Sequence, residues 1–222
     1  MTSVKSVANA EDAVLAAAKD MLRRGLVEGT AGNISARQED GTIVVTPTSV
    51  DYDRMEVDDL VVIDTEGNVV KAKDGRKPTS EKYLHLACLK AYEDIGSVVH
   101  SHPIHATMFA VAHLPIPACI DEFTVFCGGE IRVSEYAKSG TTDLADNMVI
   151  ALKDRAAALI ANHGMVAVSA RPDAALKITA LVERNAQIIL GARMLGALHE
   201  LPEDVNREFA GIYTGFLRTN PL

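Results

Sequence analysis

The stretch Ile95-Gly96-Ser97-Val98-Val99-His100-Ser101-His102-Pro103 decides how the rest of the chain is read. Val98 to Ser101 is a short apolar run of the kind that forms a buried strand, and Pro103 ends it. Residues i and i+2 of a strand share a face, so His100 and His102 project from the same side of the strand end. Two imidazoles so placed are close enough to chelate one metal ion. The alternative is a pair of polar residues hydrogen-bonded at a sheet edge. His163, in the turn Asn162-His163-Gly164 at another strand end, is a third candidate ligand. Zinc favours imidazole and carboxylate ligands, and a catalytic zinc keeps one position open.

A carboxylate candidate lies upstream. Pro78-Thr79-Ser80-Glu81 opens a helix predicted to run to about Tyr92, with its apolar face at Leu84, Ala87, Cys88 and Ala91. That spacing is helical, and Glu81, three residues before Leu84, falls on the inward stripe. A carboxylate facing a core is costly unless paired or bound to a cation. A first-turn Glu that complements the helix dipole from the surface is the bland alternative. His85, one turn further on the same face, reads as core or as support for a ligand.

Three turns carry hydroxyls or amides: Gly29-Thr30-Ala31-Gly32-Asn33, Thr46-Pro47-Thr48-Ser49 and Pro78-Thr79-Ser80. The first has glycines that let backbone N–H groups converge on an anion. The third stands at a helix N-terminus, which favours phosphate. Taken singly, each also reads as an ordinary cap or turn. Thr79-Ser80 is distinguished by its position directly before Glu81.

Working outward, a helix is expected from about Asn9 to Arg24, capped by Gly25, and hairpins are expected at Asp40-Gly41 and Glu66-Gly67-Asn68. Ile104 to Ala112 and Thr142 to Leu152 read as helices, and strand-like pieces surround Ala118 and Glu130 to Val133. Ala157 to Ala161 and Met165 to Ser169 read as strands. Two long helices, Pro172 to about His199 and Pro202 to about Arg218, close the chain. Val205, Phe209, Ile212, Tyr213 and Phe216 form one stripe of the last, and Met108, Met148, Met165 and Met194 read as core or subunit contacts. Clustered strands with helices between them predict α/β layers on a mixed sheet rather than a strictly parallel one. With no linker or repeat, residues 1–222 are expected to be a single domain.

Composition narrows the function. The 222 residues carry 30 acidic and 22 basic side chains, a net charge of −8, which argues against nucleic acid as a partner. Aromatics make up 5%, too few for a base-stacking platform. No apolar stretch is long enough to span a membrane. The opening MTSVKSVANAEDAV has no basic segment followed by an apolar run, so it is not expected to be a signal peptide. Cys88, Cys119 and Cys127 form no CxxC pair and read as reduced residues of a cytoplasmic protein.

Taken together, GTAGNIS at 29–35, TPTS at 46–49, PTSE at 78–81, VVHSH at 98–102 and NHG at 162–164 resemble the class II aldolase and adducin family, in particular its L-fuculose-phosphate aldolases. The resemblance runs from about Ala10 to Arg218. It implies a three-layer α/β/α domain with a central mixed, largely antiparallel sheet, assembled as a homotetramer with active sites near subunit interfaces. It implies that His100, His102, His163 and Glu81 bind zinc, manganese and cobalt being possible substitutes, and that Glu81 is the catalytic acid–base. It also implies that Gly32, Asn33, Thr48, Ser49, Thr79 and Ser80 hold the phosphate of a sugar-phosphate substrate. The expected reaction is reversible cleavage of a ketose 1-phosphate, L-fuculose 1-phosphate-like, to dihydroxyacetone phosphate and an aldehyde.

Two departures concern the aldehyde end. The family's tyrosine, supplied by a neighbouring subunit a few residues after an Ile-Pro-Ala, aligns here with Asp121, and the C-terminal Phe-x-x-Tyr is swapped to Tyr213-x-x-Phe216. Asp121, Glu122, Tyr136 and Tyr213, from this or a neighbouring subunit, therefore stand as candidates for the second proton transfer. A sugar-phosphate 4-epimerase, or a decarboxylase or dehydratase on the same metal site, is the runner-up. An adducin-like binding module is disfavoured because the chain keeps all three histidines and Glu81.

Overall fold

A computed structural model describes residues 5–218; the first four residues of the opening segment lie outside them. The first helix, α1 (Ala10–Arg23), leads into β1 (Asn33–Arg37) and β2 (Ile43–Val45), then β3 (Val61–Ile63) and β4 (Val69–Lys71). Both expected hairpins form. Gly41 and Gly67 take left-handed φ values of 86° and 88° in their turns. Next come α2 (Lys82–Ala91), β5 (Ser97–Ser101), α3 (Ile104–Ala112), α4 (Asp121–Cys127), α5 (Thr142–Leu152), β6 (Ala157–Ile160) and β7 (Gly164–Ser169). Helices α6 (Pro172–Met194) and α7 (Glu203–Ile212) follow, and a π-helical turn covers Tyr213–Leu217.

The seven strands form one sheet in the order β4-β3-β2-β1-β5-β7-β6. Every neighbouring pair is antiparallel; the parallel component is one isolated bridge, Val133 to Leu159. Alternation along the strands divides the core into two sides. Val99 packs with Met21 of α1 and Leu176 of α6, whereas Val98 packs with Leu84 of α2 and Met148 of α5. In β7, Met165 and Ala167 face α3, α4 and α6, while Val166 and Val168 face the α2–α5 side. Helices thus cover both faces of the sheet in three layers.

Several elements differ from the sequence reading. The pieces around Ala118 and Glu130 to Val133 make only single bridges, Ile116 to Ile131 and Val133 to Leu159. Asp121–Cys127, between them, is helical. Helix α6 stops at Met194, not His199. The last helix loosens into its π-turn after Ile212, and of the stripe read there only Tyr213 is buried. Met148 and Met165 are core, but Met108 and Met194 are exposed. Cys88 and Cys127 are buried, Cys119 is half-buried, and all three are free. No helix among the described residues is long and apolar enough to cross a membrane.

Register sets up the site. Asn33 pairs with His100 across the β1–β5 ladder, and His100 pairs with Val166 across β5–β7. The turn carrying His163 comes close to β5 because residue 164 lacks a side chain. A Cβ there would sit 2.5 Å from the Ser101 carbonyl oxygen and 2.7 Å from the His102 ring. Neither neighbour gives way cheaply, and overpacking of this kind costs about 1–3 kcal/mol. Gly164→Ala is expected to lower unfolding free energy by that amount in urea titration; an unchanged midpoint would refute the close approach.

Candidate metal centre

Two imidazoles come from one strand end and a third from the β6–β7 turn. His100 is fully buried, and its Nδ1 lies 2.9 Å from the Met165 carbonyl oxygen. A carbonyl only accepts, so Nδ1 carries a proton, and Nε2 is the ring nitrogen turned away from β7. That Nε2 is 2.9 Å from His102 Nε2. The three ring centroids stand 4.7, 4.8 and 4.9 Å apart, and the ligand atoms of His100, His102 and His163 all lie within 4.8 Å of one another. The turn of His163 is held from outside by α3: Asn162, at φ 57°, donates its N–H to the Ala110 carbonyl and sets its Oδ1 2.6 Å from His113 Nε2.

Glu81 completes the cluster. It immediately precedes α2 and is 6% exposed, in keeping with its place on the inward stripe. Its Oε2 lies 3.2 Å from His100 Nε2 and its Oε1 3.7 Å from His163 Nε2. Asn33 Nδ2 donates to Oε2 at 2.9 Å, and Ser139 Oγ donates to Oε1 at 2.8 Å. Burial pushes this carboxyl up. The His100 imidazole beside it and the hydrogen bonds from His100, Asn33 and Ser139 outweigh that, so the net direction is well below the usual carboxylate range. Burial together with like charge pushes His102 down to about 3 and lowers His163.

This donor set fits a divalent cation. Three imidazole nitrogens lie within 4.8 Å of one another with the carboxylate oxygens beside them, and lone pairs facing one another repel unless a proton or a cation stands between them. Three imidazoles and one carboxylate suit zinc.

The phosphate candidates lie on turns tied together through Thr46. Its Oγ1 accepts the Ile34 N–H at 3.1 Å and its carbonyl accepts the Thr79 N–H at 3.1 Å. Pro47 and Pro78 form a bridge, and Thr48 N–H donates to the Lys77 carbonyl at 3.0 Å. Gly32, at φ 72°, is pressed between Val27 and the His100 carbonyl, where a Cβ would sit 2.7 and 2.8 Å away. The Tyr52 hydroxyl donates to the Gly32 carbonyl. Thr79 is buried, its Oγ1 accepting the Glu81 N–H at 3.3 Å, while Thr48, Ser49 and Ser80 expose their side chains. Of the six residues expected at the phosphate, Gly32 packs on the His100 carbonyl and Asn33 and Thr79 bond to Glu81, and the Asn33 side chain is occupied by Glu81 and His85.

The aldehyde-end candidates fare differently. Tyr213 is 4% exposed in the apolar cluster of α3, α4 and α6, against Gly128, and burial holds its phenol above the usual range. Within its own chain it is a core residue. Asp121, Glu122 and Tyr136 are exposed, and among the described residues no hydrogen bond, ion pair or ring contact ties them to the histidines; Glu122 faces Arg184 at 3.7 Å. Beside His102 an open groove of about 980 Å³ is walled by Val27, Ile104, Met108 and Val111. Ser139 and the Asn33–Glu81 bond were not read from the sequence. Ser139 sits in an ordinary Lys-Ser-Gly turn 58 residues from its partner.

Comparison with known proteins agrees with this architecture. The family described as Class II Aldolase and Adducin N-terminal domain matches residues 12–190. An L-fuculose phosphate aldolase of Escherichia coli O6:H1 is 37% identical over 171 residues, 77% of this chain and 78% of that one. A 5-methylthioribulose-1-phosphate/5-deoxyribulose-1-phosphate aldolase of Rhodospirillum rubrum is 35% identical over 188 residues, 85% of this chain and 83% of its own. A solved L-fuculose 1-phosphate aldolase superposes with a TM-score of 0.88 at 32% identity, covering 95% of this chain and 99% of that one. A family match from residue 12 to 190, with relatives above 30% identity across most of both chains, shows that this chain belongs to the class II aldolase and adducin family, among its metal-dependent lyases.

Proposed function

We propose that residues 1–222 act as one class II aldolase domain, cleaving a ketose 1-phosphate reversibly to dihydroxyacetone phosphate and an aldehyde. The observation that carries this reading is the convergence of Glu81 with His100, His102 and His163 beside two bridged, hydroxyl-bearing turns. These four side chains would hold zinc, a donor set that also takes manganese or cobalt. Bound there, the cation supplies Lewis-acid stabilisation of the negative charge that develops as the carbon–carbon bond breaks.

The remaining work falls to the chain. Backbone N–H groups around Gly32 and Asn33, the hydroxyls of Thr48, Ser49, Thr79 and Ser80, and the N-terminus of α2 hold the phosphate and orient the donor half. Substrate displaces the Glu81 carboxylate from the histidines. In condensation the displaced carboxylate takes a proton from the carbon that attacks the aldehyde, and in cleavage the same group, once protonated from solvent, returns one to the carbon released, help worth about 10²–10⁴-fold. The resemblance supports a cytoplasmic homotetramer. In it, exposed Asp121, Glu122 or Tyr136 of a neighbouring copy would exchange the proton of the aldehyde oxygen.

A second reading concerns the substrate's far end. The apolar wall of Val27, Ile104, Met108 and Val111 favours an aldehyde with a short apolar terminus, such as a 5-deoxy- or 5-methylthio-pentulose phosphate releases, over a hydroxylated one.

Chelation is expected to abolish cleavage and added zinc to restore it, with free dihydroxyacetone phosphate as product. Full activity without metal would remove the metal role, and an epimerised ketose without release would make the enzyme an epimerase. Glu81→Gln is expected to keep the fold while losing about 10²–10⁴-fold in kcat; a rate within a few-fold of the parent would exclude Glu81 as the acid–base. In a substrate panel, dephosphorylated ketoses are expected to be very poor substrates. Equal kcat/KM for them would remove the phosphate argument, and preference for hydroxylated aldehydes in condensation would remove the second reading.

A further inference from the structure

Behind Glu81 runs a line of hydrogen bonds that the reaction itself does not use. Asn33 Nδ2 lies 2.9 Å from Glu81 Oε2, Asn33 Oδ1 lies 2.5 Å from His85 Nε2, and His85 Nδ1 lies 2.7 Å from Ser35 Oγ. All four residues are buried, His85 completely. Asn33 and Ser35 are alternate residues of β1, so both face α2, and His85 stands one turn into that helix from Glu81.

Donor and acceptor roles along this line follow from its first member. An ionised carboxylate can only accept, so the Asn33 atom facing Glu81 is the amide nitrogen. The atom facing His85 is then the amide oxygen, which also only accepts, so His85 Nε2 carries a proton. Burial, reinforced by the nearby His100, pushes His85 down to about 3, which keeps the ring neutral. A neutral ring leaves Nδ1 bare, and the Ser35 hydroxyl donates to it. Every polar atom of the chain is satisfied in one direction only. With the Asn33 amide turned over, its oxygen would oppose a carboxylate oxygen at 2.9 Å, two acceptors in contact within a buried site.

We infer that His85 is a positioning residue: by donating from Nε2 to Asn33 Oδ1 it locks the amide so that Nδ2 serves Glu81, and so aims the carboxylate at His100 and His163. For its consequence in catalysis this rests on the aldolase reading above; as a statement about the carboxylate and its cation it does not.

Glutamine and asparagine at position 85 separate positioning from bulk. A Gln places an amide N–H near the site of the imidazole Nε2, whereas an Asn, one methylene shorter, does not reach it. Zinc affinity, measured by chelator competition on protein shown to be folded by its melting curve, is expected to fall about 10–100-fold in His85→Asn. In His85→Gln it is expected to stay within about threefold of the parent, and kcat is expected to fall and recover in parallel. On the parent protein, two-bond ¹⁵N–¹H correlations of the imidazole are expected to show the proton on Nε2, a readout that needs neither activity nor a folded variant. The proton on Nδ1, or equal zinc affinities for the two variants, would overturn the inference. An Nε2 proton and a Gln–Asn split in a protein that cleaves no ketose phosphate would uphold the positioning role and sink the aldolase reading instead.

Discussion

A carboxylate held inside the molecule governs the arrangement around it. Glu81 is almost wholly removed from water, and an uncompensated charge there costs several kcal/mol. Each oxygen therefore has a donor of its own, Asn33 for Oε2 and Ser139 for Oε1, and the remaining charge faces His100 and His163. These partners come from a strand start, a surface turn, a strand end and the β6–β7 turn. One buried anion thereby fastens four separated stretches of chain, and removing any partner leaves it under-compensated.

The sheet supplies the placement this anion demands. Asn33 and His100 are direct partners across β1 and β5, and both face α2. A slip of one residue in either strand would carry its polar set to the α1 side, among Met21 and Val14. Backbone must also come close where a side chain would intrude. At Gly32 the chain passes against the His100 carbonyl, and at Gly164 it passes against Ser101 and His102. The glycines of the GTAGN and NHG stretches thus serve proximity, letting three imidazoles and a carboxylate share one small volume.

What could be read in the sequence was what depends on local period. His100 and His102 were legible because strand side chains alternate, and Glu81 because helical spacing puts it in line with Leu84 and Cys88. Both hairpins were legible from Asp-Gly and Glu-Gly-Asn. Hidden were contacts set by the path of a loop: Ser139 reaches Glu81 across 58 residues from a turn whose composition is ordinary. The charge state of Glu81 was hidden for the same reason, since burial is visible in a helical stripe but the donors that overcome it are not. Helix α4 escaped because it is only 7 residues long, too short for period to declare itself. Which of the apolar positions in the last helix turns inward was hidden as well: of the five, only Tyr213 is buried, where the helix passes into its π-turn.

The polar line from Ser35 through His85 and Asn33 to Glu81 has a cost that apolar packing in the same place would not. It crosses the α2–β1 layer, where Val45, Val61 and Leu84 supply the cohesion. A hydrocarbon replacement there would pack at least as well, and buried ionic or polar groups are often no more stabilising than such replacements. The gain lies in direction: each hydrogen bond has one permitted sense, so the carboxylate at its end has one permitted orientation. The same convergence makes the cation and the fold interdependent. Acceptors gathered around His100 repel one another in the folded chain and disperse in the unfolded one, so an ion that binds only the gathered set stabilises the fold by its own binding free energy. Metal affinity and conformational stability are therefore linked, each added decade of affinity for the folded chain raising its stability at a fixed free-ion concentration above Kd.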